Sequence, residues 1–179
     1  CSINLTTAKS AQSILKCSHL RLYTNTDVIG VEICGALKNI TAIAAGICDG
    51  LNLGDNTKAS IITRGLAEMA RFGSAIGAEP STFSGLAGMG DLIATCSSRL
   101  SRNNQVGRML AKDMPLDQIK KSMDNVAEGI ETTKAVVSVA NRLNIDLPIA
   151  QAVYNILFKN LSVRDAREEL MGRTLTSET

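Results

Sequence analysis

The stretch V-E-I-C-G-A-L-K-N-I-T-A-I-A-A-G (Val31–Gly46) sets a chemically capable residue in an apolar setting. From Ile33 to Cys48 the only formal charge is Lys38. Ile33, Leu37, Ile40, Ala44, Ile47 and Leu51 recur in steps of four and three, the buried stripe of a helix. A lysine beside such a stripe either snorkels its ammonium to water or holds it in a semi-buried polar niche. The segment alone leaves both readings open.

Two polar loops offer further chemistry. G-L-A-G-M-G-D (Gly85–Asp91) places Gly85, Gly88 and Gly90 just ahead of Asp91, so the backbone there needs close approach or positive φ. The spacing matches neither the dinucleotide fingerprint nor the P-loop and follows no strand; tight helix packing competes with a phosphate loop as its explanation. S-R-L-S-R-N (Ser98–Asn103) gathers Arg99, Arg102, Asn103 and the hydroxyls of Ser98 and Ser101. Arginine presents a planar fork suited to phosphate, and Ser and Asn add neutral donors; a solvated surface loop is the alternative. D-N-V-A-E-G-I-E-T-T-K (Asp124–Lys134) puts Glu128 or Glu131 at a helix start, where the dipole favours a carboxylate whatever the function. Together these types suit a small phosphorylated substrate bearing a carbonyl or hydroxyl. Spacing alone does not bring them together.

Composition narrows the partners. The chain has 179 residues, 45% hydrophobic and 20% charged, with a net charge of +2. That fits one domain, or one domain plus a fragment, and gives no general case for nucleic acid or an anionic membrane. Five aromatics without tryptophan offer no stacking platform for bases, so no nucleic-acid partner is expected. Five cysteines without a C-x-x-C pair, and the single His19, supply no sensible zinc spacing, so no metal site is expected. Scattered single cysteines suit reduced thiols in a cytoplasmic protein. No apolar run reaches the ~18 residues of a membrane span. The Asn-x-Ser/Thr matches at Asn4, Asn39 and Asn160 then read as chance.

The elements that must position these residues are nearly all helical. Thr6–Lys16 reads as a short helix and His19–Thr24 (H-L-R-L-Y-T) as the one convincing strand, with no visible partner. A helix from about Gly30 to Asp49 follows, then one capped by Asp55 or Asn56, closed by a left-handed Gly77. Pro80, Pro115 and Pro148 mark further helix boundaries, and Ser162 with Asp165 caps a last helix that stops before Gly172. The expectation is an all-α, multi-helix domain over residues 29–179, preceded at 1–28 by the remnant of another domain.

The residues as a set resemble a known family. Y-T-N-T-D-V-I-G-V-E-I-C-G-A-L-K-N, then G-L-A-G-M-G-D, then S-R-N, in that order, closely resemble the C-terminal half of bacterial-type NAD(P)-dependent glycerol-3-phosphate dehydrogenase, from about Arg21 onward. The resemblance implies a substrate domain of the 6-phosphogluconate-dehydrogenase C-terminal-like type, with residues 1–28 a helix–strand remnant of a Rossmann domain. It implies interconversion of dihydroxyacetone phosphate and sn-glycerol 3-phosphate with NAD or NADP, supplying glycerol 3-phosphate for phospholipid synthesis. Lys38 matches the family's catalytic lysine. Asp91, Ser101, Arg102 and Asn103 match its substrate contacts, and Thr95 a further hydroxyl. Arg102, Val126 and Glu128 match positions near the cofactor. No G-x-G-x-x-G occurs, so the cofactor would be held mainly by a domain this sequence does not contain, leaving an apolar interface that favours a homodimer or other self-association. A related hydroxyacid or 6-phosphogluconate-type dehydrogenase domain, and a non-catalytic helical dimerisation module, are the alternatives.

Overall fold

The computed structural model describes residues 1–123 and 125–174; Asp124 and the last five residues of the expected 29–179 domain lie outside the described part. Its elements, in chain order, are α1 (Leu5–Leu15), α2 (Val28–Gly50), α3 (Asp55–Ala75), α4 (Pro80–Phe83), a π-helical turn (Leu86–Gly90), α5 (Asp91–Ser97), α6 (Arg102–Leu110), α7 (Leu116–Ser122), α8 (Gly129–Leu143), α9 (Pro148–Phe158) and α10 (Val163–Met171).

α2 is the axis of the bundle. It packs against α3, α4, α5, α6, α8 and α9, and everything from Asn39 to Cys48 is buried. By length and composition alone α2 could cross a membrane, although Lys38 interrupts its apolar run. Its apolar circumference is accounted for by burial among other helices. Where α6 crosses it, the backbones touch. A Cβ at Gly46 would lie 2.1 Å from the Asn104 carbonyl oxygen, and one at Gly107 would lie 2.0 Å from that of Ile43. Glycine is required there by space, since both helices have ordinary dihedrals.

The start of α2 is fixed by Asp27. Its Oδ1 accepts from the Gly30 N–H (2.8 Å), while Oδ2 accepts from the Thr82 hydroxyl (2.7 Å) and the Glu79 N–H (2.9 Å). Burial works against the charge, but these donors prevail and hold the carboxyl below its ordinary value. One aspartate thus caps α2 and ties it to α4.

Local signals placed most of the other ends. Gly77 has φ +94° and follows α3, Pro80 opens α4, Pro115 precedes α7 and Pro148 opens α9. The Ser162 hydroxyl accepts from the Asp165 N–H at 3.0 Å. α3 departs from expectation: Asp55 is already helical and the cap position is Gly54, with φ +83°. Asn4 is a helix cap and Asn39 is buried in α2.

The expected strand at His19–Thr24 is not formed. The segment is irregular, with a single Cys17–Leu20 bridge, and no strand occurs among the described residues to pair with it. Alternation of side chains favours a strand, but a ladder needs a second chain segment. α1 holds this segment through Gln12 Nε2, which donates to the Leu22 carbonyl (2.7 Å), and just beyond it the Ser2 N–H, ahead of α1, donates to the Asn25 carbonyl (3.1 Å).

Away from α5 and α6, Glu68 of α3 is buried beneath the start of α9. Its two carboxyl oxygens accept from the N–H groups of Ile149 (2.6 Å) and Ala150 (3.1 Å). Burial pushes its carboxyl up to about 7, against the lowering effect of those two donors and of Arg71. The folded protein therefore binds this proton more tightly than the unfolded chain. Between about pH 4.5 and 7 stability falls as pH rises, by an amount on the order of 3 kcal/mol, and then levels off. Urea midpoints at pH 5 and pH 7.5 should differ in the wild type and converge in Glu68→Gln. An equal gap in both proteins would show that another group titrates.

Candidate functional site

Lys38 leaves α2 on the side facing α5, and its ammonium donates to Asp91 Oδ2, a partner 53 residues away in sequence. The side chains of Lys38 and Asp91 are 21% and 43% exposed, so the pair sits at the edge of the core with one open side. Lys38 is thus neither a fully hydrated snorkelling residue nor an enclosed one. Thr95, one turn after Asp91 on α5, donates its hydroxyl to Asp91 Oδ1 at 3.3 Å. Both oxygens of the aspartate are engaged, which fixes its plane and the direction of the lysine.

The Gly-rich stretch before Asp91 delivers that geometry. Gly85, Gly88 and Gly90 do not adopt positive φ; Gly88 instead allows close approach, since a Cβ there would lie 2.1 Å from the Phe83 carbonyl oxygen. Tight packing, the competing reading of this loop, is what it does. The π-helical turn then runs directly into α5, so Asp91 stands at the first residue of that helix.

The S-R-N segment is ordered at the start of α6. The Ser101 hydroxyl caps the helix, accepting from the Asn104 N–H (3.3 Å). Leu100 N–H donates to Ser98 Oγ (3.2 Å), and Gln105 Nε2 to the Arg99 carbonyl (3.1 Å), which holds the loop. Arg102 is exposed and enters no ion pair among the described residues. It lines an open cleft of about 430 Å³ together with Gln105, Arg108, Met109, Ser122 and Asn125. Asn103 is buried, and its Oδ1 accepts from the Gly129 N–H at 3.0 Å. That bond ties the start of α6 to the start of α8. Glu128 stands at the cap position of α8 and Val126 is 71% exposed just before it.

The structure therefore brings together Lys38, Asp91 and Thr95 by direct bonds, and Arg102, Asn103 and the Val126–Glu128 stretch by the Asn103–Gly129 link. Two polar residues that spacing did not single out, Asp49 and Asn104, lie behind the site. Asp49 is flanked by Lys58 (2.9 Å) and Arg108 (2.8 Å). Burial works against its charge, yet hydrogen bonds from Asn104 and Lys58 and the charges of Lys58 and Arg108 hold its carboxyl below its ordinary value. No local pattern marks either residue. Cys34 and Cys96 are buried, and burial, with the charges of Asp27 and Asp91 adding at Cys34, pushes the two thiols up to about 11 and about 12 respectively, away from the reactive thiolate.

Comparison with known proteins places the chain in a family. The family model of the NAD-dependent glycerol-3-phosphate dehydrogenase C-terminus matches residues 27–168. The glycerol-3-phosphate dehydrogenase [NAD(P)+] of Prosthecochloris aestuarii is 54% identical over 172 residues, 96% of this chain and 52% of that protein. The protein of the same name from Shouchella clausii is 50% identical over 171 residues, 96% of this chain and 50% of its own length. Among solved structures, glycerol-3-phosphate dehydrogenase from Coxiella burnetii superposes with a TM-score of 0.90 at 40% identity, covering 95% of this chain and 52% of that one. The Saccharomyces cerevisiae enzyme superposes with a TM-score of 0.82 at 30% identity, covering 89% and 47%. The chain spans about half the length of the curated relatives it matches. By its sequence and its all-helical fold, this chain belongs to the family of NAD-dependent glycerol-3-phosphate dehydrogenase C-terminal domains.

Proposed function

We propose that this chain is the substrate-binding half of an oxidoreductase that interconverts dihydroxyacetone phosphate and sn-glycerol 3-phosphate with NAD or NADP, in the supply of glycerol 3-phosphate for phospholipid synthesis. The observation that carries the reading is the Lys38–Asp91–Thr95 set, open on one side and linked through the helix ends to Arg102. One side of this part-buried pair faces solvent, which leaves its ammonium and carboxylate within reach of a small ligand.

Reduction places two electrons and a proton on C2 of the ketone, and the carbonyl oxygen gains negative charge as the carbonyl π bond breaks. The Lys38 ammonium stabilises that charge and transfers a proton to the oxygen; in the oxidative direction the neutral amine takes the hydroxyl proton back. Asp91, its plane set by Thr95, directs Lys38 and accepts from a substrate hydroxyl. Arg102 grips the phosphate, with the Ser101 hydroxyl and Asn103 amide beside it. The dinucleotide supplies or accepts the hydride when bound. The residues present fit one edge of such a group: Arg102, Arg108 and Gln105 line an open cleft rather than a closed pocket, and the next residue after its Asn125 is the exposed Val126.

The rest of the cofactor site would lie on a second domain, to which residues 1–28 belong. The exposed Ile3, Ile14, Leu15, Leu20 and Tyr23 of that segment, and Leu86, Met89, Ile93 and Leu100 around the site, support an apolar surface that such a domain covers. A cytoplasmic location and a homodimer belong to the same proposal.

Oxidation of NADH or NADPH driven by dihydroxyacetone phosphate, in the protein carrying both halves, tests the reading; no activity with either dinucleotide would sink it. In the same assay Arg102→Lys should raise the KM for dihydroxyacetone phosphate by about 10–100-fold, the worth of a charge-assisted bidentate contact. An unchanged KM would remove Arg102 from the phosphate.

A further inference from the structure

One buried side chain joins the three helices that carry Lys38, Asp91 and Arg102. Asn104 is 1% exposed and its amide is fully engaged. Nδ2 donates to Asp49 Oδ2 (3.0 Å) and to the Cys96 carbonyl (3.1 Å), and Oδ1 accepts from Arg108 Nε (2.7 Å). Asp49 lies in the last turn of α2, the helix of Lys38. Cys96 lies in the last turn of α5, the helix of Asp91 and Thr95, and its carbonyl is one of those a helix end leaves unpaired. Asn104 itself follows Arg102 and Asn103 directly at the start of α6.

This is an expensive way to hold three helices together if packing were all that mattered. A leucine of similar volume would fill the space without burying an amide beside a carboxylate. Directional bonds do what apolar packing does not: they set the axial register of one helix on another. The glycine contacts at Gly46 and Gly107 fix how closely α2 and α6 approach, but a smooth backbone contact leaves sliding open. The Asn104 bonds to Asp49 and Cys96 close that freedom.

We propose that Asn104, braced by Asp49, is a positioning residue that sets Arg102 and Asn103 in register with the Lys38–Asp91 pair; this rests on the function proposed above. Asn104 touches neither reacting atom and acts through its neighbours.

The test is steady-state reduction of dihydroxyacetone phosphate by the protein carrying both halves. The variants are Asn104→Ala, Asp49→Asn, Arg102→Lys and Asn104→Ala with Arg102→Lys, and Val153→Ala in the distant α9 core serves as a control for lost stability. Asn104→Ala should lower kcat/KM by about 10²-fold, as displacement of a positioned group by an ångström does, and well beyond Val153→Ala at equal fraction folded. Added to Arg102→Lys it should lose little more than the worse single variant, because both act at one contact. Losses that match Val153→Ala, or that simply multiply with those of Arg102→Lys, would overturn the proposal. If Asn104→Ala does not fold, Asp49→Asn decides: a fall in kcat/KM of about tenfold supports the bracing role, and a value within about twofold of wild type overturns it. An inactive wild type would instead overturn the proposed function, a result distinguishable from active wild type with unaffected variants.

Discussion

Lys38→Ala, in the protein carrying both halves, should reduce kcat for dihydroxyacetone phosphate by about 10²–10⁴-fold, the range for losing a positioned general acid. The loss should fall on kcat more than on KM, because the charge that Lys38 meets exists on the substrate oxygen only as the hydride arrives. Folding should survive. Alanine is the better helix former, and the abandoned Asp91 is 43% exposed and keeps the Thr95 hydroxyl, so no fully buried charge is orphaned. Circular dichroism and thermal unfolding beside the kinetics separate the two effects. Turnover near that of wild type would leave Lys38 with only the anchoring of Asp91 to do.

Gly107→Ala should cost much stability, because it adds a methyl where α6 crosses the backbone of α2. The new Cβ would sit 2.0 Å from the Ile43 carbonyl oxygen and 2.7 Å from the Ile47 backbone nitrogen. These are backbone atoms of a buried helix, with no rotamer to yield, so α2 and α6 must move apart. Overpacking of a filled core costs about 1–3 kcal/mol, and the upper end applies where backbone is met. At about 2–4 °C per kcal/mol for a domain of this size, Tm should fall by roughly 10 °C. Gly35→Ala is the comparison: nothing lies within 4 Å of its added Cβ, and it removes a glycine from mid-helix, so stability should hold or rise by about 0.5–1 kcal/mol. Equal melting points for the two variants would show that α6 can shift outward freely, and would weaken the argument that this crossing is fixed.

The helices were legible because their causes are local. The four-and-three apolar steps of α2, the Ser162 cap and the prolines at positions 80, 115 and 148 act within a turn or two of themselves. The misplaced cap of α3 is also local in origin: Gly54 reaches a φ of +83° at no steric cost, so it takes the position an aspartate commonly fills. The segment at His19–Thr24 failed for the opposite reason, since alternation describes a face and a strand needs a neighbour to bond with.

By itself the sequence determined the all-helical architecture, the residue types of the site and the family to which they belong. Only the tertiary structure decided that Lys38 meets Asp91 across 53 residues, that Gly88 lets the chain approach the Phe83 carbonyl, and that Asn104 joins the ends of α2, α5 and α6. Helix propensity and capping are summed over neighbours in the chain. An ion pair between two helices, or a buried amide with three partners, depends on how closely those helices approach. Here that distance is set by glycines whose missing side chains carry no local signal of what they will touch.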